Sequence, residues 1–469
     1  MRGIGVKKGL LRTKAINADH HLVDTGLRRV LGPLDLTLLG IGAVIGAGIF
    51  VVTGVAAATQ AGPAIILSFV LAGAACAFSA LSYAELAASI GGCCSAYGYS
   101  YAGFGEFIAW IIGWDLILEY AVAVSAVAIG WSSYAYNALQ AAGLGLPAEL
   151  IKGPLEGGTL NLPAAAIVLI LGLLLILGVR LSARFNAVMV FIKLLAITVF
   201  IGIAFFHIEP SNWDPFMPFG WKGVFGGAAL VVFAYLGFDA VSTAAEEARN
   251  PQRDLPIGLI ASLAICTLIY ILTSGLLTAV VPYTSLNVGS PVADVVLRLG
   301  YPWGAALVAA GAITGLTTVM LAMYYGLTRV FLAMSRDGLL PPLFAQVDPN
   351  TRTPIRVILV SGLVMATIAG LIPIGDVAEM VNIGTLAAFL MVCVGVIVLR
   401  YRHPNLRRPF RTPLMPLVPI LGAISCFILM INLPLLTWLR FAIWMVIGFF
   451  VYFLYSYRHS ALAEQAQGG

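Results

Sequence analysis

An all-α polytopic membrane protein of twelve transmembrane helices is the fold class this sequence predicts, on three observations. The 469 residues are 60% hydrophobic and only 10% charged, with a mean hydropathy of +0.98, outside the range of soluble globular domains. The charges gather between long apolar runs instead of alternating with them. The first and sixth of these runs are interrupted in their middles, which divides the chain into two sets of five helices followed by two more.

Taken in order, the segment 1–33 mixes Lys, Arg, Asp, His and Gly without a continuous apolar core or a small-residue cleavage site. It is expected to be a cytoplasmic tail and not a signal peptide. Runs long enough to cross about 30 Å of hydrocarbon at about 1.5 Å per residue lie near 34–58, 63–88, 106–136, 163–180, 184–206, 223–247, 257–281, 303–335, 355–372, 377–400, 415–434 and 439–457. A twelve-helix domain over 34–458 follows, with repeat one at about 34–206, repeat two at about 223–400, and the last two helices at about 415–457. A second cytoplasmic tail covers 459–469. The segment 89–105, ending YGYSYAGFG, is too polar and Gly-rich for a span and suits a short cytoplasmic connector at the interface, where Tyr is favoured. The third and eighth runs are long for one crossing, and tilting accommodates them.

Of the 26 Lys and Arg, twenty fall on the side of both termini, whereas Lys152, Lys222, Arg298 and Arg440 fall on the other. That asymmetry places both termini in the cytoplasm, and the net charge of +5 speaks to topology, not to nucleic acid. Lys193 and Arg329 lie within helices. The six cysteines, at 76, 93, 94, 266, 393 and 426, show no CxxC and no His at ligand spacing, so neither a disulfide framework nor a metal site is expected. Cys93 and Cys94 are expected to be free cytoplasmic thiols.

The first interruption is LGIGAVIGAGIF, Leu39 to Phe50, with glycines at 40, 42, 46 and 48. Each glycine costs about 1 kcal/mol relative to Ala inside a helix. Backbone freed in mid-membrane is tolerated only where it is buried in protein or lines a cavity. The N–H groups of Gly46, Ala47 and Gly48, opening the outer half-helix, form an anion site suited to a carboxylate. Close helix packing through small residues is the competing reading, and Gly42 and Gly46 have its spacing. The second interruption has Tyr235-Leu236-Gly237-Phe238-Asp239 at its waist. Unwinding around Phe233, Ala234, Tyr235 and Leu236 exposes carbonyls that, with Val44 or Ile45, accept from an ammonium; Phe233 is otherwise an ordinary core aromatic.

Three ionisable positions lie at membrane depth. Lys193 sits nine residues beyond Arg184, roughly 13 Å into the membrane, where a charge is a functional hypothesis by default; the bland alternative is a Lys satisfied by carbonyls for stability. Asp115 and Glu119 stand i,i+4 on one helix face. Two carboxylates that close do not both ionise readily in low dielectric, which suits proton coupling or attraction of a cationic side chain, or else a structural pairing with Lys193. Asp239, grouped with these as a coupling residue, is as well placed to cap the half-helix that follows it. Glu246, Glu247, Arg249, Arg253 and Asp254 form a charged loop, either an inner gate with Arg329 or a solvated face.

GIGAVIGAGIFVVTG, then GFDAVSTAAEEARNPQRDLPIGL from Gly237 to Leu259, then SRDGLLP from Ser335 to Pro341, resemble the amino acid–polyamine–organocation superfamily, and within it the bacterial relatives of the cationic amino-acid transporters. The resemblance covers about Leu34 to Tyr457. It implies a LeuT-like 5+5 inverted repeat and proton-linked uptake of amino acids by a chain functional as a monomer in the cell membrane, without cofactor or metal. It assigns the ammonium-binding carbonyls to Val44, Phe233, Ala234 and Leu236, makes Phe233 a gate, and makes Lys193 a built-in replacement for the cation that sodium-coupled relatives hold between helices one and eight. Met323 matches the side-chain pocket, where mammalian cationic transporters carry a small polar residue. A Met there points to small neutral substrates, whereas Ala47 agrees with the cationic members. An amino acid/polyamine exchanger or a cationic-specific transporter is the alternative. The intramembrane runs contain no HExxH, GxSxG or CxxC, which argues against an enzyme, and a repeat within one chain argues against a channel of symmetric subunits.

Overall fold

The computed structural model describes residues 12, 31–90, 95–141, 143–178, 183–239, 241, 248–349, 351 and 353–463. Most of the segment 1–33, Cys93 and Cys94, Arg180, Glu246, Glu247, Arg352 and residues 464–469 lie outside the described residues. The principal helices are α1 (Pro33–Val44), α2 (Ile65–Ile90), α3 (Glu106–Ala141), α4 (Leu162–Ile176), α5 (Ala183–Phe205), α6 (Gly220–Val231), α7 (Pro251–Val280), α8 (Pro302–Arg336), α9 (Ile355–Leu371), α10 (Ile374–Arg402), α11 (Leu417–Ile431) and α12 (Leu435–Val451). Among the described residues the β-type pairing is one isolated bridge, Leu31 with Ala248. Among the described residues, seven helical stretches are long and apolar enough to cross a membrane, and five shorter apolar helices accompany them.

Proline marks where many of these helices begin. It occupies the first or second position of α1, α4, α7 and α8 and the residue just before α9, α10, α11 and α12. Its missing N–H is no loss there and its fixed φ suits the first turn. The 34–58 run is not one helix. α1 stops at Val44, and the chain resumes through a π-helical turn at Gly48–Val52, the turn Thr53–Ala56, a second π-turn at Ala57–Ala61 and a 3-10 turn at Gly62–Ala64.

Two segments differ from the sequence expectation. The connector 89–105 contains a helix, Ser95–Gly103. Its tyrosines 97, 99 and 101 are buried against the protein: Tyr97 donates to Asp337 Oδ2 at 2.8 Å, so the end of α8 takes the hydroxyl. Between α7 and α8 a further short helix, Pro291–Arg298, follows Ser290.

The packing pairs α1 with α7 and α5, α2 with α7 and α6, α3 with α8, α10 and α9, α5 with α8, and α4 with α9. α3 and α8 have 36 and 35 residues, about 50 Å each, and lie along one another. α12 is fastened to α3 by indoles: Trp114 Nε1 donates to Trp444 O at 2.9 Å and Trp444 Nε1 returns to Trp114 O at 3.1 Å. Trp110 Nε1 reaches Gly448 O at 3.0 Å.

Where α2 ends, the buried Glu85 carboxylate accepts from Arg400 Nε at 2.8 Å and Nη2 at 2.6 Å and from the Thr412 N–H at 2.7 Å, with Arg408 Nε at 3.4 Å. One carboxylate thus ties α2 to α10 and to the chain entering α11. Removing one partner of a buried pair strands the others, at a cost of about 3–5 kcal/mol. Glu85→Ala should therefore lower the melting temperature in detergent by several degrees, whereas Glu379→Ala, whose carboxylate meets the hydroxyl of Thr437, should lower it less.

Candidate functional site

An α-helix leaves its last four carbonyls without amide partners, and α1 ends inside the protein. The break is at Ile45, whose φ of −74° and ψ of 100° take it out of the helix; its N–H still reaches Ile41 O at 3.0 Å, and the Phe50 N–H returns to Gly46 O at 3.3 Å. Other helices answer the freed carbonyls. Lys193 of α5, fully buried, donates from Nζ to Gly42 O at 2.6 Å. The Tyr270 hydroxyl of α7 lies 2.9 Å from Val44 O. A side chain added at Gly315 of α8 would come within 2.9 Å of Lys193 Cε, so the lysine stem fills the junction of α1, α5 and α8.

The helix-six break meets this one. α6 gives way to a 3-10 turn at Val232–Tyr235, Leu236 is extended at ψ 136°, and Gly237 has φ +94°, a conformation that glycine adopts without strain. A Cβ added at Gly48 would run into the Cα and Cβ of Ala234, and one added at Gly237 would sit 2.5 Å from Met323 Cε and 3.0 Å from Ala43 O. Tyr270 Oη joins the two breaks, lying 2.8 Å from Ala234 O as well as beside Val44 O. On the outer segment, the Tyr134 hydroxyl of α3 donates to Phe50 O at 2.7 Å. Val44, Ile45, Ala47, Phe233, Ala234, Leu236 and Met323 are all buried.

The structure divides the work of the four glycines. A side chain at Gly40 would collide with Ser262 of α7, and one at Gly42 with Asn186 of α5; Gly46 has Val319 of α8 at 3.1 Å. These positions serve close packing between helices, and Gly48 serves the approach of the two breaks.

The acids form a separate group. Asp115 and Glu119 are buried on α3, and a side chain at Gly384 of α10 would meet Asp115 Oδ1 at 2.8 Å. The carboxylate neighbours of Glu119 are Asp239 and Asp115, and Tyr120 Oη lies 3.5 Å from Asp239 Oδ2. Asp115 Oδ1 and Glu119 Oε2 have no hydrogen-bond partner among the described residues. The structural pairing with Lys193 that the sequence leaves open is not formed: Lys193 goes to the Gly42 carbonyl and makes no ion pair among the described residues. The half-helix that Asp239 would cap lies largely outside the described residues. Arg253 and Asp254, expected in a charged loop, lie instead in the first turn of α7, because Asp254 Oδ2 accepts the Asn250 N–H at 3.1 Å and so caps the helix start; the Arg329 guanidinium lies 4.6 Å over the Tyr325 ring.

The two interrupted helices thus meet inside the protein, the break in α1 lying against that in helix six at Gly48 and Ala234. The profile of the amino acid permease family matches residues 31–453. The chain belongs to that family. Within the amino acid–polyamine–organocation superfamily its relatives include the methylthioribose transporter of Bacillus subtilis (strain 168), 52% identical over 93% of this chain and 95% of that one. The branched-chain amino acid permease BcaP of the same organism is 49% identical over 94% of this chain and 96% of its own length. Cationic amino acid transporter 4 of Homo sapiens is 35% identical over 82% of this chain and 61% of that one. The permease is therefore a polytopic membrane protein of a transport family, related to the cationic amino-acid transporters.

Two residues of the permease at its helix breaks carried no signal in sequence. Tyr270, in the apolar run of α7, reads as one more core aromatic, and Asn382 of α10 as one polar residue in a helix. Tyr270 is ringed by Phe69 and Tyr235, each with its centroid at 5.4 Å. A polar side chain at mid-helix in an apolar run, one that must find a partner when buried, is the only cue that sequence could have offered.

Proposed function

We propose that this permease imports L-amino acids across the cytoplasmic membrane by proton symport and alternating access, with the substrate held where the breaks in α1 and in helix six meet. The apposition of Gly48 to Ala234 carries the reading. It sets the start of the resumed segment after the first break against the turn of helix six, and on this reading the carboxylate lies on the N–H groups of Gly46, Ala47 and Gly48 and the ammonium on the carbonyls of Val44, Phe233, Ala234 and Leu236, beside Ile45. Tyr270 has one hydroxyl hydrogen for two carbonyls, which leaves acceptor capacity for an arriving ammonium.

Twelve spans in a LeuT-like 5+5 inverted repeat, over 34–458 between cytoplasmic tails 1–33 and 459–469, complete the proposal. An inversion that exchanges α1 with α6 and α2 with α7 turns the contact α1 with α7 into α6 with α2, and that of α5 with α8 into α10 with α3. All of these contacts are made. Lys193 takes the place of a coupling cation, and Asp115, Glu119 and Asp239 are the proton-linked acids. The permease works as a monomer in the lipid bilayer, with an amino acid and protons as its partners.

Met323 sets the substrate. It is buried against Gly237, fills about the volume of a long basic side chain, and offers a guanidinium only a weak acceptor. Small or medium neutral amino acids such as alanine are the expected substrates, with arginine weak. Met323→Ser should raise arginine uptake relative to alanine by about tenfold, one well-placed polar contact; arginine preferred by the wild type and unchanged by the substitution would show the pocket to be elsewhere. A second reading is favoured by the 52% identity to a methylthioribose transporter. A thermal-shift screen with the twenty amino acids, several polyamines and methylthioribose separates the two, since a ligand at 100 times its Kd stabilises by about 2.7 kcal/mol. Counterflow in liposomes with and without a pH gradient separates symport from exchange.

A further inference from the structure

Where α6 passes into the turn Val232–Tyr235, the hydrogen-bond ladder shortens from i→i−4 to i→i−3. At such a change the amides no longer serve the carbonyls in the α-helical pattern, and the Val232 N–H is directed at Ala228 O and Leu230 O. Asn382 of α10, fully buried, lies at this point: its Nδ2 donates to Ala229 O at 3.0 Å and to Leu230 O at 2.9 Å. Only the NH2 end of an amide serves two carbonyls, so its orientation is determined. Its Oδ1 is buried and finds no partner among the described residues. The side chain is thus placed by what α6 needs and not by what α10 offers it.

We infer that Asn382 is a positioning residue for substrate, the donor that keeps helix six broken. It supplies from α10 side-chain hydrogen bonds to the two carbonyls at which the ladder changes. Without them the nearest remedy is for residues 232–235 to rewind onto the Ala229 and Leu230 carbonyls, and this turns the carbonyls of Phe233 and Ala234 back into the helix. The inference rests on the reading that these carbonyls receive the substrate ammonium. Its role is parallel to that of Lys193 on the other break, but it carries no charge and takes no part in coupling.

Asn382→Asp keeps the shape and leaves at most the one donor of a protonated acid, whereas Asn382→Ser leaves one hydroxyl donor on a shorter side chain. The purified proteins are titrated with L-alanine and L-leucine by thermal shift, and KM and Vmax are measured in proteoliposomes. Asn382→Asp and Asn382→Ser should each raise KM and Kd by about tenfold, the loss of a donor to a buried carbonyl, with Vmax changed less than KM in both. Asn432→Asp is the control, because its Nδ2 also bonds a helix carbonyl, Ile428 O at 2.8 Å, at an exposed place in α11; it should transport as the wild type does. A purely structural role would lower the melting temperature and the Vmax and leave KM alone, and an unchanged KM overturns the inference. If the aspartate protein does not survive purification, the serine protein decides by the same criterion. A wild-type protein stabilised by neither amino acid removes the site reading and this inference with it. Wild-type binding with unchanged KM in the variants removes the inference alone.

Discussion

Lys193→Ala should abolish concentrative uptake of L-alanine while leaving a protein that inserts in the membrane. The ammonium is fully buried and donates to Gly42 O at 2.6 Å, a carbonyl that the break in α1 deprives of its amide. Its stem packs on Gly315 of α8. Alanine removes the donor, strands a carbonyl in a site without water, and empties the junction of α1, α5 and α8. Loss of one such donor costs about 1–3 kcal/mol, more when it is charged, and an ionisable group so deep in the membrane is a functional hypothesis by default. Lys193→Arg should not rescue, because a planar guanidinium does not fit a place shaped for a point charge. With Lys193 in the proposed place of a coupling cation, wild-type uptake should run on a proton gradient in sodium-free buffer. Uptake that requires sodium, or a Lys193→Ala protein with wild-type rates, would refute this role.

Gly48→Leu should be equally severe. From the sequence, bulk at 48 acts by filling the space of a bound carboxylate. In the structure that direction is already taken by the backbone of Ala234, so a side chain there acts by forcing the two breaks apart. Overpacking of this kind costs about 1–3 kcal/mol or more, and it moves both halves of the site at once. Even Gly48→Ala should lose most uptake, whereas Gly275→Ala, where a Cβ would meet the flexible end of Ile66 at 3.2 Å, should lose little. Membrane expression of both proteins should persist. Normal uptake by a folded Gly48→Leu protein would contradict the close approach of the two breaks.

The helices were legible because hydrophobic runs, glycine clusters and prolines are local signals. So were the two breaks and Lys193, a charge where a bilayer permits few. The donors that make the breaks tolerable were not legible. Gly42 O is answered by Lys193, Val44 O and Ala234 O by Tyr270, and Ala229 O and Leu230 O by Asn382. These pairings span 151 and 226 residues in the first two cases, and no periodicity marks a side chain that serves a distant main chain. The same holds for Glu85 and Arg400, 315 residues apart. The burial of the tyrosines of Ser95–Gly103 was not legible for a related reason: composition distinguishes a span from a connector but does not say what packs over it.

That backbone at the meeting breaks holds both charged ends of an amino acid is tested most directly by which ligand loses binding when one end is removed. Purified permease is titrated by thermal shift with L-alanine, L-alanine methyl ester, propionate and methylthioribose. L-Alanine should raise the melting temperature in a saturable way, while the ester, which lacks the carboxylate, and propionate, which lacks the ammonium, should each bind at least about a hundredfold more weakly, as expected for a lost charged hydrogen bond. Equal stabilisation by the ester or by propionate, or stabilisation by methylthioribose and not by any amino acid, would contradict it.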